Sequence, residues 1–258
     1  MLEQGFLKAE IEFLEALRKS PIETAEIQIA TRPQQNSDNW YIERRKRLTA
    51  SKFGEVCKIR ETTSCRIMVS NIIYSRDFFS TACQYGTDNE AAAKESVERI
   101  IDKTIRSCGL FIDEKFPFLG ASPDGIKDKD ILEIKCPWSA RNVTPEEGVK
   151  RKFISFWNNS TGKVNQNHNW FYQIQGQLHI AKKSYRIFAG CTPHGVKIET
   201  IFRDDVFWLT KMETKLKAFY LNCLLPELVD PRRPRNMPIR DPEYIEEAIT
   251  ENKKRKQL

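Results

Sequence analysis

The stretch "GASPDGIKDKDILEIKCPW" (120–138) contains two short apolar segments on either side of a polar turn. A turn at residues 128–129 predicts a β-hairpin whose register places Asp124 directly opposite Glu133. Directly opposed cross-strand residues have their β-carbons about 4.5–5.5 Å apart, and two like charges at that separation destabilise a sheet. The hairpin therefore predicts a positive group between these two acids.

Strand alternation places Lys135 on the same face as Glu133. The two acids offer hard oxygen ligands, which suit Mg²⁺ or Mn²⁺ better than zinc. The apolar neighbours Ile131, Leu132 and Ile134 indicate a partly buried strand, in which unpaired acids are costly. The alternative is an exposed hairpin with ordinary surface charges, which is the more frequent explanation of an isolated Glu-x-Lys match.

Composition limits the classes of protein to which the chain can belong. Its 258 residues, of which 40% are hydrophobic, can build the core of one large domain. A formal charge of +7 and a pI near 9.0 favour a polyanionic partner. The seven cysteines form no C-x-x-C pair, which argues for reduced thiols and against a structural zinc. Because no signal peptide or membrane span is evident, we expect an intracellular protein with no membrane partner.

Shifts in composition divide the chain into three segments. Residues 1–38 are expected to form a helical arm, because a moderate helical period is followed by a polar, turn-rich stretch. The main domain is expected over residues 39–229. Residues 230–258 are rich in Pro, Arg and Lys, so we expect an exposed, flexible tail. Its basic end, residues 253–256, suits either nuclear import in a eukaryotic host or a tail that contacts DNA.

Periodicity predicts the elements of the main domain. The predicted helices cover residues 49–56, 87–105, 168–183 and 204–228. Beside the hairpin, alternation predicts a second pair of strands over residues 185–192 and 195–202. These elements indicate a mixed α/β domain.

The hairpin motifs resemble those of a known family. "SPDG" (122–125), followed nine residues after its Asp by "EIKCP" (133–137), resembles the catalytic hairpin of the PD-(D/E)xK nuclease superfamily. The resemblance is to its YqaJ-like, lambda-exonuclease-like family of viral and phage recombination nucleases. Further segments that resemble this family, in the same order, are "RRKRLTASKFGEV" (44–56), "YGTDNEAAA" (85–93) and "YQIQGQL" (172–178). The resemblance implies a restriction-endonuclease-like α/β core, with a mixed β-sheet flanked by helices.

The resemblance also implies roles for the residues of the hairpin. Asp124 and Glu133 resemble metal ligands, with the Ile134 carbonyl as a third ligand for Mg²⁺ or Mn²⁺. Lys135 resembles the residue that orients or activates the attacking water. Ser122, at the start of the hairpin, resembles part of a pocket for a terminal 5′ phosphate.

Arg44 and Ser51 resemble the other residues of this phosphate pocket. Arg44 would supply the N–H donors of its guanidinium, and Ser51 would supply a hydroxyl at the start of a helix. Without the resemblance, Arg44 would be interpreted as part of a solvated basic face.

Glu90 and Gln173 each have a second interpretation. Thr87-x-x-Glu90 has the spacing of a capping box, whereas the resemblance makes Glu90 an active-site acid. Gln173 lies four residues before Gln177, so both side chains could face solvent on one side of a helix. The resemblance selects Gln173 as the essential glutamine and leaves Gln175 as the second choice.

The implied function is metal-dependent hydrolysis of DNA from duplex ends, in the 5′ to 3′ direction, during recombination or repair. The family includes ring-forming trimers, and a single-strand annealing protein is an implied partner. Three alternatives are a structure-specific endonuclease on the same fold, a captured DNA-binding module without catalysis, and a docking partner for an annealing protein.

Overall fold

The computed structural model describes residues 3–60, 62–74, 80–127 and 130–255. Two mixed β-sheets lie among helices, which confirms the predicted α/β class. The strands are β1 (Leu48–Thr49), β2 (Phe111–Ile112), β3 (Leu119–Ala121), β4 (Gly125–Lys127), β5 (Asp130–Lys135), β6 (Tyr185–Thr192) and β7 (Gly195–Phe202). One sheet has the order β1-β3-β2 and the other β4-β5-β6-β7.

The described helices include the four that were predicted in the main domain, with different ends, and several that were not predicted. They are α1 (Glu3–Leu17), α2 (Pro21–Ala30), α3 (Asp38–Arg45), α4 (Ala50–Lys58), α5 (Arg66–Ile73), α6 (Thr81–Ile101), α7 (Pro145–Lys150), α8 (Asn169–Ile180), α9 (Asp205–Phe207), α10 (Thr214–Phe219), α11 (Leu225–Val229) and α12 (Glu243–Arg255). Two π-helical segments, Trp208–Glu213 and Tyr220–Leu224, join α9, α10 and α11 into one long helix. Among the described helices, none has the length and apolar character needed to cross a bilayer.

The hairpin of β4 and β5 has the register predicted from the sequence. Gly125 pairs with Leu132 in antiparallel orientation. Asp124 lies just before this ladder, and its N–H donates at 3.1 Å to the carbonyl of Leu132, the residue that pairs with Gly125. The predicted register is thus confirmed from Gly125 to Lys127, and Asp124 lies at the end of the hairpin at which β5 carries Glu133. The predicted turn at residues 128–129 lies outside the described residues.

The parallel pairing of β5 with β6 and the antiparallel pairing of β6 with β7 complete this sheet. Tyr185 pairs with Phe202 and Thr192 with Gly195, which confirms the second predicted pair of strands. β5 is thus a central strand, with a neighbour on each side, and five of its six residues are buried. Its position keeps Glu133 away from bulk solvent.

Helix α6 begins earlier than the sequence predicted. Ser80 caps it by accepting a hydrogen bond from the Cys83 N–H at 3.1 Å. Thr87 consequently lies inside the helix, so the interpretation of Thr87 and Glu90 as a capping box is wrong. The helix ends at Ile101 because Asp102 adopts a left-handed conformation, with φ at 50°.

Helix α8 crosses α4 at two glycines. A β-carbon on Gly176 would lie 2.4 Å from the Phe53 ring, and one on Gly54 would lie 2.5 Å from the Asn169 α-carbon. A distance below about 3 Å is incompatible with ordinary packing, so both positions require glycine for this close approach. The contact fixes α8 in place on one side, while its buried residues Ile174 and Leu178 share a core cluster with Ile131 of β5 on the other.

The segment before residue 38 packs against the rest of the molecule. The Thr31 hydroxyl oxygen accepts a hydrogen bond from the Leu110 N–H at 2.8 Å. Gln34 donates to the carbonyls of Cys108 and Pro123 at 3.0 and 2.9 Å. These contacts attach the N-terminal helices to the strands that lead into the hairpin.

The segment after residue 230 is not the flexible tail that the sequence predicted. Ile239 and Ile245 are buried in the core cluster that also contains Trp208. The Asp241 carboxylate accepts from the Cys65 N–H at 2.8 Å and pairs with Arg66 at 3.0 Å. Composition misled the prediction because a few apolar residues and one acid anchor an otherwise polar segment. The basic end at 253–256 lies partly outside the described residues.

Candidate active site

The Glu133 carboxylate is the centre of a buried polar cluster. Its Oε1 accepts from Gln173 Nε2 at 2.6 Å and from Lys135 Nζ. Its Oε2 accepts from Gln177 Nε2 at 3.2 Å and from Arg186 Nη2. Burial alone would raise the pKa of Glu133, but the charges of Lys135 and Arg186 and these hydrogen bonds lower it. Glu133 therefore stays ionised although only 1% of the residue is exposed.

Asp124 is held in place by the neighbouring strand. Its Oδ2 accepts from the Ile134 N–H at 2.7 Å. Desolvation, followed by repulsion from Glu133, raises the pKa of Asp124 to about 8. The two facing acids thus experience the repulsion that the sequence predicted, and the buried, arginine-paired Glu133 is the one that keeps its charge.

The Ile134 carbonyl is a main-chain oxygen that lies on the same side of β5 as Asp124. The N–H and C=O of a residue in a strand point toward the same neighbouring edge. Because the Ile134 N–H points to Asp124, the Ile134 carbonyl faces the side on which Asp124 lies.

Lys135 lies beside both acids, with 22% of its side chain exposed. Its Nζ also lies 5.3 Å from the centre of the Trp170 ring. Burial would lower the pKa of Lys135, but the negative charges of Glu133 and Asp124 outweigh burial and raise it. Lys135 is therefore a fixed positive charge rather than a neutral amine that could accept a proton.

Glu90 faces the same cluster from helix α6. Its side chain keeps contact with solvent, yet desolvation by the surrounding protein and repulsion from Glu133 raise its pKa. Since the capping box is absent, the geometry favours the second interpretation, in which Glu90 belongs to the site.

Helix α8 supplies two glutamines to the site instead of one. Gln173 and Gln177 lie one helical turn apart and hold the two oxygens of Glu133. Neither faces solvent, because both are buried. Gln175, the second choice, instead donates to the Phe202 carbonyl at 2.9 Å and accepts from the Asp204 N–H at 2.8 Å, so it joins α8 to the end of β7.

Arg186 of β6 was missed by the sequence reasoning. It is fully buried, and its Nη2 donates to the Leu132 carbonyl at 2.9 Å as well as to Glu133. The available signal was an arginine inside the otherwise apolar strand "YRIFAG", where an unpaired charge is costly. The missing information was the parallel pairing of β5 with β6, which brings Arg186 to Glu133.

The oxygen atoms around Asp124 fit a divalent cation. Desolvation, followed by repulsion from Glu133, raises the pKa of Asp124, and a bound cation would favour the ionised form of this carboxyl group. The hard donors at this position are the carboxylates of Asp124 and Glu133 and the Ile134 carbonyl, and a cation bound to Glu133 would replace one of the four donors that hold its oxygens. In the part of the chain that the structure describes, no group of three or more Asp, Glu, His or Cys side chains is placed to hold a metal.

The three residues predicted to bind a phosphate are connected through Trp40 and the first sheet. The Arg44 guanidinium stacks on the Trp40 ring at 4.0 Å, and Trp40 Nε1 donates to Ser122 Oγ at 3.0 Å. Thr49 pairs with Gly120 in the parallel ladder of β1 and β3, so Ser51 and Ser122 follow at the same edge of that sheet. The Ser51 hydroxyl lies 3.3 Å from Thr49 Oγ1 at the start of α4.

Comparisons with known proteins agree with the sequence motifs. A family model described as the YqaJ-like viral recombinase domain matches residues 39–184. A search of curated proteins found no match.

Solved structures include several similar folds. An alkaline exonuclease, LHK-Exo from Laribacter hongkongensis, has 21% identity and a TM-score of 0.59, over 78% of this chain and 98% of that chain. Its complex with dAMP gives a TM-score of 0.60 at the same identity and coverage. A phage-related exonuclease from Haemophilus somnus 129PT has 13% identity and a TM-score of 0.49, over 71% of this chain and 95% of that chain. The LHK-Exo match shows a shared nuclease fold.

Proposed function

The chain belongs to the YqaJ-like viral recombinase family, and we propose that it is a divalent-metal-dependent nuclease that digests DNA from duplex ends. The observation that carries the proposal is the buried Glu133 carboxylate, which repels the neighbouring Asp124 and is held by Lys135, Gln173, Gln177 and Arg186. A protein has no structural need to place an acid of the central strand β5 beside a second acid, because repulsion between the two destabilises the fold.

The residues of this cluster have distinct proposed roles. Mg²⁺ or Mn²⁺, held by Asp124, Glu133 and the Ile134 carbonyl, would neutralise charge on the phosphate and lower the pKa of an attacking water. Lys135, which keeps its proton, orients that water and stabilises the negative charge that develops during attack. Glu90 faces the same space and is a candidate acceptor for a proton of the water.

The surrounding residues position these groups. Gln173, Gln177 and Arg186 fix the Glu133 carboxylate in one orientation, so that only small rearrangements are needed during reaction. We propose Gln173 as an essential residue on this basis, with Gln177 and Arg186 as additional positioning residues.

Digestion from an end, in the 5′ to 3′ direction, is the finer part of the proposal. Arg44, Ser51 and Ser122 supply a guanidinium and two hydroxyls on one side of the acids, which suits a terminal phosphate. The LHK-Exo fold was solved with dAMP, a nucleoside monophosphate of the kind that stepwise digestion releases. Assembly into a trimer and association with an annealing protein remain further parts of the same hypothesis.

Linear and circular DNA distinguish the proposed activity from its alternatives. With Mg²⁺, purified protein is expected to convert end-labelled linear duplex to mononucleotides and to leave covalently closed circles intact. Cleavage of the circles would favour a structure-specific endonuclease. Binding of both substrates without cleavage, in Mg²⁺ and in Mn²⁺, would favour a non-catalytic DNA-binding module.

Replacing Arg44 is expected to remove selection for a phosphorylated end. A charge-assisted hydrogen bond contributes about 1.5–3 kcal/mol, so the wild-type protein should digest a 5′-phosphate end roughly tenfold to a hundredfold faster than a 5′-hydroxyl end. In Arg44→Ala the two initial rates should become similar. Arg45→Ala, on the exposed adjacent position, is the matched control. Equal rates on both ends in the wild-type protein would reject the pocket.

A further inference from the structure

A cavity of about 690 Å³ lies between the N-terminal helices, strands β2 and β4 and the end of α8. Its volume is within the range of about 300–1,000 Å³ that is typical of ligand sites. The apolar residues that form its bottom are Phe111, Ile112, Pro117, Ile126 and Ile180. Of the described residues that line it, none belongs to the acid cluster or to the phosphate pocket, so the proposed nuclease function gives this cavity no role.

The walls of the cavity are fixed by contacts within the protein. On one wall α2 packs directly on Gly109, because a β-carbon there would lie 2.2 Å from the Gln28 carbonyl oxygen. On another wall Arg106 and Ile126 exchange two main-chain hydrogen bonds, at 2.9 and 2.8 Å. The cavity is therefore formed before a ligand arrives, and little binding energy would be lost in shaping it.

Three arginines lie at the opening of the cavity. Arg18 follows α1, Arg32 follows α2, and Arg106 precedes β2. All three are exposed, whereas Ile112 and Ile180 at the bottom are buried. Within the described part of the chain, no hydrogen bond or ion pair holds any of the three guanidinium groups. The cavity therefore has an apolar bottom and a positively charged opening.

The two acids that line the cavity do not neutralise these arginines. Glu114 is paired with Lys182. Asp113 accepts hydrogen bonds from the main-chain N–H groups of Lys115 and Phe116, at 3.0 and 2.7 Å. The opening thus keeps a net positive charge, which favours a ligand that is anionic around an apolar centre.

This arrangement suits an acidic peptide better than a DNA strand. In protein–protein interfaces, apolar side chains enter pockets and polar or charged groups surround them. A guanidinium can pair with a carboxylate through two parallel hydrogen bonds. Bases instead stack on aromatic rings, and Phe111 is the one aromatic residue among the described residues of the lining. The rest of the bottom is aliphatic, which fits the apolar side chains of a peptide.

We propose that this cavity is a docking site for an acidic segment of a partner protein. Large apolar side chains of the segment fill the cavity, and its Asp or Glu carboxylates pair with Arg18, Arg32 and Arg106. Docking there uses none of the residues assigned to cleavage, so the proposal does not depend on the proposed nuclease function.

The test selects peptides on the whole protein, in EDTA, from a displayed library of random short peptides. The enriched sequences should combine Asp or Glu with large apolar residues. A selected peptide labelled with fluorescein should bind Arg18→Gln/Arg32→Gln/Arg106→Gln about tenfold more weakly or worse, because three charge pairs are lost. Arg45→Gln, at an exposed arginine outside the cavity, should bind the peptide as tightly as the wild-type protein.

A blocked cavity gives a second readout. Ala25 of α2 lines the cavity and is exposed, so Ala25→Trp should occupy part of the cavity without disturbing the fold. Peptide affinity should fall about tenfold or more in Ala25→Trp. Ala30→Trp places the same ring at an exposed position of the same helix outside the cavity, and it should leave the affinity unchanged. Urea unfolding verifies that both variants are folded.

The outcomes decide between a peptide and DNA. Peptide binding that survives either the triple arginine variant or Ala25→Trp would overturn the proposal, and so would a selection that yields no peptides or only peptides without acids. The affinity of a single-stranded oligonucleotide in EDTA should be unchanged by Ala25→Trp. A loss of oligonucleotide affinity as large as the loss of peptide affinity would assign the cavity to DNA instead.

Discussion

Replacing Glu133 by alanine is expected to lower the free energy of unfolding by about 3–5 kcal/mol, because the substitution leaves a fully buried arginine without its partner. Arg186 donates to Glu133 and to the Leu132 carbonyl, and the carbonyl alone cannot neutralise its charge. Urea unfolding in EDTA measures the loss. A loss of activity in Glu133→Ala would therefore combine an effect on folding with an effect on catalysis.

The double variant Glu133→Ala/Arg186→Met tests this explanation. Removing both charges should restore much of the stability, because a buried ion pair replaced by apolar groups is often neutral for folding. Cleavage should remain absent in the double variant. If Glu133→Ala alone unfolds at the same urea concentration as the wild-type protein, the ion pair has no structural role.

Replacing Asp124 by asparagine is expected to reduce cleavage by several orders of magnitude and to leave the fold intact. Asparagine keeps an oxygen that can accept from the Ile134 N–H, but it removes the charge that a cation requires. Initial rates on linear duplex in Mg²⁺ measure the effect. Wild-type turnover by Asp124→Asn would contradict the proposed metal site.

Asp124→Asn is expected to stabilise the metal-free protein relative to the wild-type protein, and this difference should grow as pH rises. Because the pKa of Asp124 is raised to about 8, the folded protein binds a proton that the unfolded chain releases above pH ~4. The contribution of Asp124 to stability therefore falls between about pH 4 and pH 8. In EDTA, the advantage of Asp124→Asn over the wild-type protein should be about 1–3 kcal/mol larger at pH 8 than at pH 5. An equal difference at both values would show that Asp124 is not destabilised by its neighbours.

The hairpin was predictable because its register depends on local information. Once the turn was set at 128–129, the period of two residues determined the pairing of Gly125–Lys127 with Asp130–Leu132 and placed Lys135 on the same face as Glu133. The strands at 185–192 and 195–202 were predictable for the same reason. Local pattern also located α8, since Gln173 and its neighbours recur with helical spacing.

The errors arose where long-range contacts decide the outcome. Arg186 reaches Glu133 through a parallel pairing of strands more than 50 residues apart, which no local pattern encodes. Gln177 was interpreted as a solvent-facing residue because its partner lies on another element. The start of α6 was misplaced because the Thr87 and Glu90 spacing matched a cap, although Ser80 provides the actual one.

The sheet order has a consequence for working with parts of this protein. The family model ends at residue 184, just before β6, so a fragment cut there would lose β6 and β7. Its β5 would become an unprotected edge strand, with free main-chain groups along the apolar sequence "DILEIK". Such an edge recruits strands from other molecules, and Glu133 would lie at it without Arg186. The part of the chain that carries the family motifs is therefore expected to aggregate when expressed alone. In the whole protein, β6 prevents this by pairing with the free edge of β5.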